Sequence, residues 1–283
     1  MRTLLTYLSF VRFSHSVFAL PFALIGALLA WRVQPFAWSQ VAWITVCMVG
    51  ARSAAMGFNR LVDARFDALN PRTAMRELPR GAMSRVEATL FVVASSVVFV
   101  YAAGRLSVLC LVLSPLALAI VFWYSLAKRY TSYTQFFLGL AMAVAPVGGW
   151  IAAGGRGGAE PWLLGLAIGL WVGGFDILYA CQDFEFDRTH ALQSIPVRFG
   201  VRTAIHLSRV MHVATVAAMA VLWRVAELPS LYLGGVLVVA CLLAYEQSLV
   251  SESDLSQVKR AFDLNGYVGI IYFVATALSL VIG

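Results

Sequence analysis

Nine stretches of about twenty residues in this chain are nearly free of charge: roughly 13–33, 38–58, 86–103, 106–127, 133–153, 161–182, 205–223, 229–249 and 264–282. A helix rises about 1.5 Å per residue, so a run of that length crosses the roughly 30 Å hydrocarbon core of a bilayer. Inside a bilayer the backbone must satisfy its own hydrogen bonds, which leaves helices and closed barrels. Unbroken apolar runs of this length lack the alternation of a barrel strand, so the expected fold is an all-α integral membrane protein with nine transmembrane helices. Composition agrees: 61% of the 283 residues are hydrophobic and 12% charged, with a mean hydropathy of +0.82. Soluble domains carry about 25% charged residues. The chain reads as one polytopic domain over 1–283.

The basic residues set the expected topology. Arg2, Arg12, Arg60, Arg65, Arg72, Arg76, Arg80, Arg85, Lys128, Arg129, Arg188, Arg198, Arg202, Arg209, Lys259 and Arg260 fall on one set of connections. Only Arg32, Arg105, Arg156 and Arg224 fall on the other, and Arg52 lies within a helix. By the positive-inside rule the N-terminus is cytoplasmic and, after nine spans, the C-terminus is outside. The net charge of +7 is therefore topology signal in short loops; no nucleic-acid partner is expected. Cys47, Cys110, Cys181 and Cys241 sit in apolar stretches without metal-ligand spacing and read as core thiols. The first apolar run lacks a small-residue cleavage site and reads as a retained helix, not a leader.

Two aspartate ladders interrupt the apolar pattern. The first is Asn59-Arg60-Leu61-Val62-Asp63-Ala64-Arg65-Phe66-Asp67; the second is Asp176 followed by Asp183-Phe184-Glu185-Phe186-Asp187. In each, the last two aspartates are four apart and stack on one helical face. Arg52, Met56, Asn59, Asp63 and Asp67 continue the first stripe, and Asp176, Tyr179 or Ala180, Asp183 and Asp187 the second. Asp63 to Asp183 and Asp67 to Asp187 are both 120 residues apart. That offset suggests a pseudo-repeat of four-helix units, about 13–127 and 133–249, with the ninth helix at about 264–282. The longest connections, about 59–85 and 183–204, each follow a ladder on the expected cytoplasmic face.

An ionised group at membrane depth costs about 3 kcal/mol or more unless it is paired or coordinated. Mg²⁺ takes oxygen ligands, and one or two carboxylates suffice when a substrate phosphate completes the shell. Two facing ladders suit a diphosphate clamped between two Mg²⁺ ions, with Asn59 adding a neutral oxygen. Arg72 and Arg76 follow the first ladder, Lys128 and Arg129 follow 106–127, and Arg198 follows the second ladder. Guanidinium forks bind phosphate oxygens in bidentate fashion. The competing reading is structural: the acids would pair with Arg60, Arg65 and Arg188. Gly148-Gly149 and Gly173-Gly174 are expected to permit close helix approach.

With these motifs in place the chain resembles the UbiA superfamily of intramembrane prenyltransferases over nearly its whole length. The resemblance rests on Asn59–Asp67, Asn70-Pro71-Arg72-Thr73, Tyr124-Ser125-Leu126-Ala127-Lys128-Arg129, and Asp176–Gly200, which contains Tyr179-Ala180-Cys181-Gln182-Asp183 and Ser194-Ile195-Pro196-Val197-Arg198-Phe199-Gly200. It implies nine helices around a central cavity open toward lipid. It also implies Mg²⁺-dependent ionisation of a polyprenyl diphosphate and attack by a ring carbon of an aromatic acid on the allylic cation. Carried over by motif, Asn59, Asp63, Asp67, Asp183 and Asp187 would hold Mg²⁺ and diphosphate, and Lys128, Arg72 and Arg198 would contact the diphosphate; Arg76, which follows the same ladder as Arg72, is a further substrate-binding candidate. Tyr124 and Tyr179 would line the substrate site, and Arg52 or Asp176 would sit nearer the acceptor or order the cluster. Many members begin the first ladder with Asn-Asp where this chain has Asn59-Arg60. That start, with His15–Phe22 and Asn-Pro-Arg-Thr, resembles a bacterial quinone-pathway subgroup: 4-hydroxybenzoate polyprenyltransferases and the enzyme of the futalosine menaquinone route. The acceptor is accordingly 4-hydroxybenzoate, 1,4-dihydroxy-6-naphthoate or another aromatic of the superfamily, and the expected location is the bacterial inner membrane with the site toward the cytoplasm.

Two other classes stay open on the residues alone. A secondary transporter would also show repeats and intramembrane polar groups, but near the midplane; here the acids gather at one face. An intramembrane phosphatidyltransferase would carry an Asp-Gly dipeptide in its aspartate run, and none occurs.

Overall fold

The computed structural model describes residues 6, 7, 9–11 and 19–282. Among them every regular element is a helix. They are α1 (Leu20–Ala30), α2 (Trp38–Leu69), α3 (Arg85–Leu106), α4 (Val108–Ala127), α5 (Thr134–Ala152), α6 (Glu160–Cys181), α7 (Phe184–Thr189), α8 (Ile195–Phe199), α9 (Val201–Val225), α10 (Leu231–Ser248) and α11 (Val258–Ile282). Eight of these (α2–α6 and α9–α11) are long and apolar enough to cross a membrane, and they match eight of the nine expected segments. The remaining segment, 13–33, starts outside the described residues, as does His15; its described part is the short apolar helix α1.

The helices form two compact units. The first comprises 1–20 and 37–126, the second 21–36 and 127–283. In the first unit α2 packs along α3. Gly50 and Gly57 make that approach possible: a Cβ on Gly50 would stand 3.1 Å from the Phe99 nitrogen, and one on Gly57 would stand 2.7 Å from Val92. Cys47 packs there with Ala102, Ala103 and Trp43. At 32 residues α2 is about 48 Å long, far more than a span needs. The surplus turns carry Asn59 to Asp67.

In the second unit α6 is the central helix, packed by α5, α9 and α11. Two-thirds of its apolar window is buried, against about a tenth for α4. Backbones meet closely where α1 crosses α5: a Cβ on Gly149 would collide with the Ala23 carbonyl, and one on Gly26 with that of Pro146. Gly173 and Gly174 receive the Met211 and His212 side chains of α9 at 2.7 and 2.6 Å from a virtual Cβ, whereas Gly148 faces open space. Three of the four glycines singled out in the sequence thus sit at close approaches. All four cysteines are free thiols; Cys47 and Cys181 are buried, Cys110 is half-buried, and Cys241 is exposed on an outward face of α10.

Candidate functional site

The first ladder is built by the end of α2 and the loop that follows. Asn59, Asp63 and Asp67 lie on successive turns, and the Asn59 amide donates to the Asp63 carboxylate at 3.4 Å. Asp63 and Asp67 are buried, at 3% and 7% exposure. Pro71 pushes Asn70 into extended backbone (φ −91°, ψ 118°), which ends the helix. The Asn70 side chain accepts from the Arg72 N–H at 3.0 Å, and the buried Thr73 hydroxyl donates to the Asp67 carbonyl at 3.0 Å. The chain therefore turns back on the helix it has just left. This return brings Arg76 to Asp67, where Nη1 donates to both carboxylate oxygens at 2.8 Å. Arg72 stays exposed, and Arg52 is half-buried two turns before Asn59.

The pairing answers the structural reading of the acids in part. Asp67 does bond an arginine, but the partner is Arg76 from the loop. Arg60 is buried and stands 3.9 Å from Glu77, while Arg65 is exposed. The sequence pattern assigns no role to Thr73 or Glu77. The one signal available was Glu77 itself, an isolated acid among Arg72, Arg76, Arg80 and Arg85.

The second ladder is carried differently. Helix α6 stops at Cys181, a tight turn follows with the Asp183 N–H on the Ala180 carbonyl (3.1 Å), and Asp183 then starts α7. Asp183 and Asp187 remain one α-turn apart, with the Asp187 N–H on the Asp183 carbonyl at 2.8 Å. Both are half-buried, and Glu185 points outward. Asp176, on α6, lies within electrostatic reach of Asp183 and Lys128. Lys128 is tied in by its backbone: its carbonyl accepts from the Gln193 N–H at 2.8 Å, and the Ser132 hydroxyl donates to the Gln193 side chain at 3.3 Å. Further on, the Ile195 N–H meets the Gln135 side chain at 3.4 Å, so the loop after the second ladder is stitched to residues 128–135. The structure thus groups Asp176, Asp183 and Lys128. Arg198 is exposed and lies over the Tyr133 and Phe199 rings at 5.5 and 5.2 Å. Tyr179 meets Phe262 in a tilted contact (4.5 Å between ring centroids), and Phe262 meets Phe175; Phe175 and then Phe22 flank Trp171. Tyr124 is half-buried near the end of α4.

The donors on each ladder are oxygens only, with no thiol or imidazole among the ladder residues. Among the described residues no three acids, histidines or cysteines converge closely enough to cage an ion. Mg²⁺ does not need such a cage; it binds through one or two carboxylates and leaves the rest of its shell to water and phosphate. The donor chemistry therefore fits this ion.

Fold and residues together define a multi-pass, all-helical membrane protein with acidic ladders at helix ends and basic groups folded back onto them. The sequence pattern of the UbiA prenyltransferase family matches residues 19–275, and the chain belongs to that family. It is a prenyltransferase, which separates it from the transporter class. Among its relatives is a 4-hydroxybenzoate octaprenyltransferase of Enterobacter sp. (strain 638), 34% identical over 229 residues covering 81% of this chain and 78% of the relative. Another, of the same description, from Citrobacter koseri, is 32% identical over 244 residues and covers 84% of each chain. Among solved structures, a UbiA homolog from Aeropyrum pernix K1 in its apo form superposes with a TM-score of 0.86 at 35% identity, covering 94% of this chain and 98% of the other. A UbiA homolog from Archaeoglobus fulgidus bound to GPP and Mg²⁺ superposes with a TM-score of 0.71 at 20% identity, covering 96% and 99%, and shares the fold.

Proposed function

We propose that this prenyltransferase moves a polyprenyl group from polyprenyl diphosphate to a ring carbon of an aromatic acid of the 4-hydroxybenzoate type, in respiratory quinone (ubiquinone or menaquinone) biosynthesis. The observation that carries the reading is a carboxylate ladder buried at the end of a membrane helix with the Arg76 guanidinium folded back onto its last aspartate. The relatives described as 4-hydroxybenzoate octaprenyltransferases supply the substrate class.

In this reading Asn59, Asp63, Asp67, Asp183 and Asp187 would hold Mg²⁺, two ions in all. When bound, Mg²⁺ neutralises charge on the diphosphate as it leaves. Lys128, Arg72, Arg76 and Arg198 orient and stabilise the same leaving group, whose departing oxygen takes the electron pair of the broken C–O bond. Tyr124 and Tyr179 line the path of the allylic chain, and aromatic faces lower the energy of its cation. Arg52 or Asp176 orients the acceptor or orders the acidic cluster, and the acceptor's ring carbon forms the new C–C bond and then loses its proton. The basic-residue asymmetry supports a cytoplasmic N-terminus and a cytoplasm-facing site in a bacterial inner membrane. The 120-residue offset supports a duplicated four-helix unit, and the apolar character of 13–33 in the sequence supports a ninth span.

The test is transfer from a short allylic diphosphate by purified protein in lipid, with 4-hydroxybenzoate and 1,4-dihydroxy-6-naphthoate offered in parallel. Product should require Mg²⁺, vanish with a chelator, and return on adding Mg²⁺. Asp63→Ala and Asp183→Ala should each lower the rate by about a thousandfold or more, the scale of a lost electrostatic element of catalysis. Transfer that survives chelation or either substitution would sink the assignment; a preference for the naphthoate would move it to the menaquinone acceptor.

A further inference from the structure

A buried ion pair lies under the loop that follows the first ladder, and the proposed chemistry does not use it. Arg60 is adjacent to Asn59 and buried, at 4% exposure, and its guanidinium stands 3.9 Å from the carboxylate of Glu77, itself 5% exposed. The Ser9 hydroxyl donates to the other Glu77 oxygen. The Glu77 carbonyl accepts from the N–H groups of Ala82 and Met83 at 2.9 and 3.3 Å, which closes the loop behind it. Leu78 and Met83 pack with Phe10, Val11, Met56 and Leu61.

Two consecutive loop residues are therefore fastened to two points on α2. Arg76 hydrogen-bonds Asp67 at 2.8 Å, and Glu77 faces Arg60 across a looser buried ion pair at 3.9 Å. The two anchor points are seven residues apart, about 10 Å along the helix. That geometry fixes both the position and the direction of the loop. A buried ion pair adds little net stability over an apolar pair of the same shape, because desolvation offsets the attraction. Its best-attested use is to fix register, since a charge cannot slide to a site without a partner.

We infer that Arg60 and Glu77 are positioning residues: their buried pair sets the register of the 70–84 loop on α2 and so aims Arg76 at Asp67 and at the diphosphate. The inference rests on the roles proposed above for Asp67 and Arg76. Neither Arg60 nor Glu77 is among the residues proposed to touch substrate; they act through Arg76.

The test compares wild type, Glu77→Gln, Arg76→Gln and the double variant, in detergent and in lipid. In metal-free protein, Glu77→Gln should speed amide hydrogen exchange of Thr73–Arg76 and leave the core of α2 and α3 unchanged. In turnover it should raise KM for the allylic diphosphate about tenfold, leave KM for the aromatic acceptor unchanged, and add almost nothing on top of Arg76→Gln, the signature of two residues acting as a unit. Glu77→Asp should recover part of the loss. Arg60→Lys, which keeps the charge and loses the fork, serves if Glu77→Gln does not fold, and should show the same loop exchange. Unchanged loop exchange, or effects of Glu77→Gln and Arg76→Gln that multiply, would reduce the pair to packing and overturn the inference. Absence of transfer by wild type would overturn the proposed function instead, and the exchange result would still decide the loop's register.

Discussion

At the scale of single residues, the first ladder shows how a helix end becomes a site. Asn59, Asp63 and Asp67 are set by spacing alone and were legible in the sequence. What holds them is not periodic. Thr73 donates to the Asp67 carbonyl, and Arg76 donates to its carboxylate, so one aspartate is secured through both backbone and side chain. Thr73→Val removes the hydroxyl, keeps the shape, and leaves that carbonyl short of a donor. We expect a loss of about 1–3 kcal/mol in unfolding free energy, the usual cost of stranding a buried polar group. Equilibrium unfolding in detergent measures it, and a loss under about 0.5 kcal/mol would mean water replaces the hydroxyl. The roles of Arg60 and Glu77 were not legible, because they lie 17 residues apart across an irregular loop and no helical or strand period links them. The Asn59-Arg60 start, which looked only like a subgroup mark, has a physical use in Glu77.

At the scale of elements, span length and small residues were the readable signals. Eight apolar segments match the observed helices with ends within four residues, except that α2 runs eleven residues past the expected 58 to Leu69 and α11 starts at Val258, six residues before the expected 264. Hydropathy cannot find that end, since the surplus turns are polar; Asn70-Pro71 marks it instead. The second ladder read as one continuous stripe, but α6 gives way to α7 at Gln182 and Asp183, so Asp176 and Asp187 belong to different helices. No glycine or proline stands at that break, which explains why the sequence concealed it. The glycine pair on α5 yields a sharp test. Gly149 abuts the Ala23 carbonyl, while Gly148 faces open space. Gly149→Ala should destabilise the second unit by about 1–3 kcal/mol through overpacking against rigid backbone. Gly148→Ala should be neutral or slightly stabilising, since alanine favours a helix by up to about 1 kcal/mol. Thermal unfolding of the two variants side by side decides it; equal shifts would mean α1 and α5 do not meet as described.

At the scale of the whole molecule, the ladders lie in different compact units, Asp63 and Asp67 in one, Asp183 and Asp187 in the other. Each unit has its own core and its own stitched loop. The proposed reaction requires both acidic sets to serve one leaving group, and kinetics can decide this without any assumption about geometry. If Asp63 and Asp183 act on the same diphosphate, removing either one disables the common step, so the second removal costs little more. Groups that act as a unit are non-additive in this way. Groups that act on separate events multiply their losses. The prediction is that Asp63→Ala/Asp183→Ala is within about tenfold of the worse single variant, against a further loss of about a thousandfold below that variant if the two losses multiply and each is about a thousandfold. Mg²⁺ titration adds a second reading: each single variant should raise the metal concentration needed for any residual turnover, and the double variant should not raise it further. Multiplying losses, or a metal requirement altered by one ladder alone, would divide the ladders between two separate roles and return the second to a structural one.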